Sequence, residues 1–332
     1  MRNLNRIKLA LAISAVVLPV FFVLDLMVGQ IQISFVDVWN SLFGQVSDET
    51  ISVLIKEFRF PKSMVAIIAG ASLSIAGMFM QTLFQNPLAG PYVLGINAGA
   101  SLMVALSMLT GISFFYNEYG MIASALIGAF SVGALMMIIA TNLRNTVALL
   151  LVGLMLGSFI SAFINLLEVG SIADSLKRYT LWSMGSLQQV SFSQIPVISL
   201  VFVLGFTISF FFVKPLNLLL LGENAAVNLG LNVKFSRLGI LFVTALLSGL
   251  TTAFCGPIAF VGLAIPNVTR MLLKTRNHTW LLVGNAVFGA LFLLICDVFI
   301  QLISGEILVP INVLTSLFGA PFVIYLVTRK RL

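Results

Sequence analysis

Residues 59–100 read RFPKSMVAIIAGASLSIAGMFMQTLFQNPLAGPYVLGINAGA, and this stretch decides the class of fold. A basic pair, Arg59 and Lys62, precedes an apolar run in which small residues recur every fourth position, and the run ends at Gln81. About 20 apolar residues suffice for a helix to cross a bilayer, and small residues four apart let two helices approach closely. A polar turn with two prolines follows at residues 86–91. The stretch predicts a tightly packed transmembrane helix with polar groups at both ends.

The composition extends this prediction to the whole chain. Of its 332 residues, 60% are hydrophobic and only 9% are charged, which is far from the composition of a soluble domain. Ten apolar segments are predicted to span the membrane: about 9–28, 63–84, 94–111, 120–141, 146–168, 194–213, 236–256, 258–273, 279–300 and 310–328. We therefore expect an all-α polytopic membrane protein, with residues 1–332 forming a single transmembrane domain.

The first apolar segment follows Arg2, Arg6 and Lys8 and so resembles a signal peptide. It is about as long as a membrane span and lacks a small-x-small cleavage site. We interpret it as a retained first transmembrane helix.

The distribution of basic residues predicts the orientation, because Lys and Arg accumulate in cytoplasmic loops. With ten spans and the N-terminus inside, thirteen basic residues fall inside and five outside. The inner set is Arg2, Arg6, Lys8, Arg144, Lys214, Lys234, Arg237, Arg270, Lys274, Arg276, Arg329, Lys330 and Arg331. The outer set is Lys56, Arg59, Lys62, Lys177 and Arg178. Both termini are thus expected in the cytoplasm, and the net charge of +7 requires no nucleic-acid partner.

Two loops are long enough to hold structure. The outer segment 29–62 suits a short helix at the membrane interface. The inner segment 214–236 contains Leu221, Ala225 and Leu229 at four-residue spacing, which predicts a short helix with one apolar face. Gly230 is a stop signal beyond it. Such a helix rests on lipid or inserts into a partner protein, and the residues alone favour neither.

Enzymatic and metal-binding motifs are absent from the sequence. It has no phosphate-binding G-x-x-x-x-G-K-[ST] loop, no HExxH and no CxxC. Cys255 and Cys296 lie in different apolar segments, and His278 is the sole histidine, so we expect no catalytic residue, metal ligand or cofactor in this chain.

Two acids lie within apolar segments, Asp25 and Asp297. An ionisable group inside a membrane is a functional candidate, for instance in a proton relay. Two isolated acids fall short of a relay, but they keep open an alternative function as an ion- or proton-coupled secondary transporter. A channel is disfavoured because the small-residue spacing predicts a tight bundle.

Several stretches along the chain match the sequence pattern of a known family. The chain resembles the transmembrane permease subunits of bacterial ABC importers for iron-siderophores, haem and cobalamin. The match in the opening stretch consists of Arg59, Pro61, Gly70, Gly77, Gln81, Phe84, Asn86, Pro87, Leu88, Ala89, Pro91, Leu94, Gly95, Gly99 and Ala100. It continues through Trp182 with Gly185-Ser186-Leu187, the loop 221–230, residues 256–263 with Pro266 and Arg270, Asp297, Glu306, Pro310 and residues 319–322.

The resemblance implies a fold, a location and partners. Members have ten transmembrane helices with both ends in the cytoplasm, and helices 2–5 and 7–10 form repeats of opposite orientation. The implied protein is a multi-pass permease of the inner membrane, paired with a second permease copy, that imports an iron-siderophore, haem or cobalamin. Two separate ATPase subunits would bind ATP and Mg, and a periplasmic or lipid-anchored binding protein would select the substrate.

The resemblance also assigns residue roles. Arg59 and Lys62 would face outward and dock the binding protein, together with Gln301, where the family often has arginine, and Glu306. Leu221, Glu223, Ala225, Ala226, Leu229 and Gly230 would couple to the ATPase, with the two alanines in contact. Translocation and helix packing would involve Gln81, Asn86, Pro87, Gly95, Gly99, Gly319 and Pro321. Asn267, Gly90 and Asn312 depart from the family pattern, so the cargo stays open.

Overall fold

The computed structural model describes residues 2–44, 48–110, 118–143, 145–303 and 309–328, and within these ranges the chain is helical, with no strand. Arg144, Glu306 and the basic residues 329–331 lie outside the described residues. The α-helices are α1 Arg2–Met27, α2 Phe35–Phe43, α3 Glu49–Val53, α4 Phe60–Leu83, α5 Ile96–Leu109, α6 Glu118–Asn142, α7 Thr146–Val169, α8 Ala173–Ser183, α9 Ile195–Phe211, α10 Val213–Leu219, α11 Glu223–Asn228, α12 Val233–Cys255, α13 Val261–Leu273, α14 His278–Ile303 and α15 Ile311–Thr328.

Each of the ten predicted segments coincides with one of these helices. Seven helices of the described chain are long and apolar enough to cross a membrane, while Ile96–Leu109, Val261–Leu273 and Ile311–Tyr325 are apolar but shorter. The second predicted segment, about 63–84, corresponds to α4, and helical structure extends further towards the N-terminus than this apolar run. A π-helical turn, Leu54–Arg59, joins α3 to α4, so the helix is continuous from Glu49 to Leu83.

α4 forms the centre of the bundle, and nearly every residue from Pro61 to Leu83 is buried. Glycines permit its close contacts. A Cβ added at Gly70 would lie 2.1 Å from the carbonyl oxygen of Gly289 in α14, and one at Gly77 would lie 1.7 Å from that of Gly262 in α13. The predicted small-residue packing is therefore present. We name the two ends of the bundle after residues of α4, the Lys62 end and the Gln81 end.

The two short helices α5 and α13 each follow a long helix and a non-helical connection. Residues 84–95 connect α4 to α5 and contain one 3₁₀ turn, and residues 256–260 connect α12 to α13. Each long helix is hydrogen-bonded to the short helix that follows the other long helix. Gln81 of α4 donates to the Leu263 carbonyl of α13, and Thr252 of α12 donates to Asn97 of α5 at 3.1 Å. Non-helical backbone of this kind is tolerated at membrane depth only when protein or a water-filled cavity surrounds it.

The segment 29–62 contains the predicted short helix, which is α2. Ser34 caps its N-terminus by accepting a hydrogen bond from the Asp37 N–H, and Gly44 ends it in the left-handed conformation at φ 89°. Trp39 and Phe43 are exposed while Val38 packs inward, as expected for an amphipathic helix at an interface.

Candidate functional site

A buried cluster of charged and polar side chains joins three helices at the Lys62 end. Lys62 of α4 forms an ion pair with Asp297 of α14 at 2.6 Å, and both side chains are buried. Gln301 of α14 donates hydrogen bonds to an Asp25 carboxylate oxygen at 2.6 Å and to an Asp297 carboxylate oxygen at 3.0 Å. Ser63 donates to the other Asp25 oxygen at 2.5 Å, so α1, α4 and α14 are tied together.

Arg59 lies beside this cluster and caps the end of α1. Its guanidinium donates to the carbonyl of Leu26 at 2.7 Å, to that of Met27 at 3.1 Å and to that of Ile31. The last carbonyls of a helix lack intrahelical donors, and an arginine there satisfies them and complements the helix dipole.

These positions correct two expectations from the sequence. Arg59 and Lys62 do not face outward in this structure, since they are 7% and 5% exposed and have partners within the chain. Asp25 and Asp297 are not isolated, because Gln301 bridges them. A charge near a helix end is stabilised either by water or by an opposite charge on another helix. The sequence alone does not show which of these two surroundings the charge has. Docking through these residues stays a prediction, and Glu306 lies outside the described residues.

A second polar cluster lies at the Gln81 end. Gln81 donates to the Leu263 carbonyl at 3.0 Å and accepts a hydrogen bond from Arg270 at 2.6 Å. Asn267 donates to the Pro87 carbonyl at 2.9 Å and accepts a weaker bond from Arg270 at 3.3 Å. The turn at residues 86–91 is therefore fastened to α13 through Asn267.

Gln81, Pro87, Asn267 and Arg270 line a cavity of about 710 Å³. Asn86 lies on its wall and stabilises its own turn by accepting the Leu88 N–H at 2.9 Å. His278, at the start of α14, also lines the cavity, and its ring bonds Thr82 at 2.8 Å and Asn217 at 2.9 Å. Gln81, Asn86 and Pro87 are thus brought together as one group. His278, Asn267 and Arg270 join them, and the sequence reasoning had given none of the three a site role.

The short helix predicted within residues 214–236 is present as α11, and its coupling to an ATPase stays a prediction. Glu223 forms an ion pair with Arg237 of α12 at 2.6 Å, and Arg237 also donates to the Leu143 carbonyl at 2.7 Å, so the segment is fixed to α12 and to the end of α6. Gly222 and Gly230 flank it with φ of 93° and 83°, a backbone conformation that favours glycine.

The surface of this segment differs from the expected one. Ala226 is fully buried in the chain and Ala225 is half-buried, so Ala226 is not free to contact a partner. The exposed apolar side chains are Leu221, Val227 and Leu229, at 62%, 56% and 59%. The prediction of Leu229 as a surface residue fits the geometry, whereas Val227 was missed because the four-residue period did not include it.

The remaining predicted residues are packing positions and do not gather at one site. Gly95 directly precedes α5 with φ 72°, Gly99 lies against Gly128 of α6, and Gly319 lies against Phe260. Pro321 is inside α15 and exposed.

Asn312, a departure from the family pattern, bonds the backbone of the connection between α12 and α13. Its side chain donates to the Pro257 carbonyl at 2.8 Å and accepts the Ala259 N–H at 2.9 Å. It thereby satisfies the non-helical backbone between α12 and α13.

A shallow groove along α7 has four polar side chains set among apolar and glycine residues. Asn97, Ser158, Ser161 and Asn165 line a space of about 530 Å³ between α5 and α7, and the last three are exposed. The Ser158 and Ser161 hydroxyls donate to the Leu154 and Gly157 carbonyls of their own helix. The amide of Asn165 is the side chain that indicates protein or water, because such groups on a membrane helix usually avoid lipid. This α7 groove is therefore a candidate path or subunit contact.

Comparison with known proteins places this geometry among importers. The profile of the FecCD transport family matches residues 17–329. The hemin transport system permease protein HmuU of Yersinia pestis is 32% identical over 306 residues, covering 91% of this chain and 90% of that protein. The Fe(3+)-citrate import system permease protein YfmD of Bacillus subtilis is 31% identical over 326 residues, covering 98% and 96%. A solved inward-facing structure of a metal-chelate type ABC transporter matches with a TM-score of 0.86 at 28% identity, covering 97% of this chain and 99% of that one.

Proposed function

The chain belongs to the FecCD transport family, and from that premise we propose that it acts as one of two identical permease subunits importing a large iron chelate. It is a multi-pass permease subunit of an ABC importer in the inner membrane, and the ATPase is a separate subunit. The observation that carries the proposal is the family match over residues 17–329, nearly the whole chain. Ferric citrate, hemin and metal chelates are the substrates named for the similar proteins.

We propose ten membrane crossings with both termini in the cytoplasm. The ten helices that coincide with the predicted segments support the count, and the excess of thirteen inner over five outer basic residues supports the orientation. The paired arrangements of α4 with α5 and α12 with α13 support two repeats of opposite orientation. On this orientation the Lys62 end is periplasmic and the Gln81 end is cytoplasmic.

The α7 groove supports a pair of permeases. A second copy facing it would shield its exposed polar side chains from lipid and leave a path of serine and asparagine side chains between the subunits. Such a wall offers weak hydrogen bonds to many ligands, which suits selection by a separate binding protein.

We propose that α11 transmits ATP-driven motion from the ATPase. Leu221, Val227 and Leu229 are exposed apolar side chains on a segment that the Glu223–Arg237 ion pair fixes to α12. Side chains of this kind suit a hydrophobic cleft on a partner. ATP and Mg would bind the ATPase subunits, whose closure shifts the permease pair between its two states.

Binding-protein docking is proposed at the Lys62 end. Because Lys62 is already paired with Asp297, an arriving carboxylate would have to replace Asp297 as its partner. Docking through Arg59 and Lys62 would therefore require the contacts among α1, α4 and α14 to rearrange.

Reconstitution tests the proposal. Vesicles containing the permease and its ATPase, supplied with the binding protein loaded with ferric citrate or hemin, should take up iron only when ATP is enclosed with the ATPase. Leu229→Glu should abolish uptake while leaving the permease folded, because the side chain is exposed, and Leu229→Met should keep uptake near the wild-type level. Uptake that persists without ATPase or ATP would overturn the proposal in favour of an ion- or proton-coupled transporter.

A further inference from the structure

The cavity at the Gln81 end carries an excess of positive charge. Arg270, Lys274 and Arg276 line it, and none of its described lining residues is a carboxylate. Among the described residues, none of these three forms an ion pair. Its volume of about 710 Å³ lies within the range of about 300–1,000 Å³ that is usual for small-ligand sites.

Arg270 is held in place by neutral groups alone. One of its terminal nitrogens donates to the side-chain oxygens of Gln81 and Asn267, and each of those amides is fixed by donating in turn to the Leu263 carbonyl. Within the described chain its other two guanidinium nitrogens have no acceptor. A partly buried charge without a counter-charge is costly, so an anion from outside this chain would stabilise it.

Lys274 and Arg276 lie on the short connection between α13 and α14. Lys274 ends α13 in the left-handed conformation at φ 46°, and α14 begins four residues later at His278. Both side chains are exposed, so they are available to a ligand at the mouth of the cavity.

The lining of the cavity also contains neutral polar side chains and a smaller set of exposed, mainly apolar ones. Met271, Leu220 and Tyr325 line it and are 48%, 42% and 42% exposed. A ligand that matches both parts has an anionic head and an apolar tail. Inorganic phosphate would use only the basic part.

We propose that this cavity binds the phosphate group of an anionic phospholipid from the adjacent membrane leaflet. Arg270 would contact the phosphate from inside the cavity, and Lys274 and Arg276 would contact it from the mouth. The acyl chains would lie against the apolar side chains of Met271, Leu220 and Tyr325. Basic pockets between transmembrane helices bind anionic head groups by the same chemistry. The proposal does not depend on which chelate is imported.

Native mass spectrometry of the full chain released from detergent micelles tests the proposal. Phosphatidylglycerol and phosphatidylcholine with matched acyl chains are added separately. The wild type should retain one phosphatidylglycerol at least about tenfold more strongly than phosphatidylcholine, since each basic residue near a lipid phosphate contributes measurably. The double variant Lys274→Gln/Arg276→Gln should lose about that tenfold preference.

The control variant is Lys214→Gln/Lys234→Gln, which removes two exposed basic residues that do not line the cavity. It should retain the lipid as the wild type does. Arg270→Gln tests the inner contact, with a thermal melt to show that it folds.

Equal retention of both lipids, or an equal loss in the control variant, would overturn the proposal. Binding of inorganic phosphate without a preference for phosphatidylglycerol would assign the basic part to a soluble phosphate and overturn the lipid assignment.

Discussion

At the residue scale, the cluster at the Lys62 end shows what a sequence can and cannot indicate about charge. Asp25 and Asp297 stood out because acids are rare in apolar segments, and Lys62 stood out because it opens one. Their pairing was not predictable, since the partners are far apart in the chain and meet only through helix packing. Gln301 was expected at the docking surface in place of an arginine, and in the structure it donates to both carboxylates.

Lys62→Met should destabilise the protein strongly. Removing one partner of a buried ion pair typically costs about 3–5 kcal/mol, because the remaining charge is left uncompensated. The free energy of unfolding in detergent micelles measures the loss. Adding Asp297→Leu should recover part of it, since a buried pair replaced by apolar groups is often close to neutral.

Lys177→Met is the control, because Lys177 is exposed on α8 and its loss should change the free energy of unfolding by less than about 0.5 kcal/mol. A Lys62→Met protein as stable as this control would contradict the view that the ion pair stabilises the bundle.

At the scale of elements, helix positions were predictable and helix partners were not. Apolar length gave all ten segments, and four-residue spacing of small residues indicated which faces pack closely. Which helix packs against each glycine depends on how α13 and α14 pack against α4. Gly70 meets Gly289 of α14, and Gly77 meets Gly262 of α13. α11 was predicted from periodicity and a glycine stop signal. Ala226 was expected at the partner contact and is instead buried in this chain, because its burial depends on where the neighbouring helices lie.

Gly77→Ala should separate α4 from α13. Its Cβ would lie 1.7 Å from the Gly262 carbonyl oxygen, a clash with backbone that no side-chain rotation relieves. We expect a loss of at least about 3 kcal/mol, the upper end of overpacking effects, measured as a lower midpoint of thermal unfolding.

Gly170→Ala is the matched control. A Cβ there meets only ordinary contacts at 3.9 Å and the backbone is not left-handed. Equal melting of the two variants would mean that α4 and α13 do not approach this closely.

At the scale of the whole molecule, the fold class and the function both followed from sequence, one from hydropathy and the other from the family pattern. Which side chains are exposed and which are buried was harder to predict from the sequence. The two basic residues expected on the outer surface are interior, and the polar groove along α7 emerged only when Asn97 was brought beside Ser158, Ser161 and Asn165.

Single-cysteine labelling checks the orientation of the molecule. Both native cysteines, Cys255 and Cys296, are buried, so the wild type should react little with a membrane-impermeant maleimide. Leu229→Cys should be labelled only from the cytoplasmic side, and Ile172→Cys, an exposed residue just before α8, only from the periplasmic side. The reverse pattern in sealed vesicles would invert the topology.

The π-helical turn Leu54–Arg59 affects how well the gene tolerates the deletion of a single codon. The Phe60 N–H donates to the Ile55 carbonyl, five residues back, and a turn bonded in this way holds one residue more than an α-helical turn. Loss of a single codon here would let the turn relax into α-geometry and leave α4 intact. Loss of a codon within α4 would rotate part of it by about 100° and move Gly70 or Gly77 away from its partner. In this part of the gene, single-codon changes in length are therefore best tolerated just before α4 and least tolerated within it.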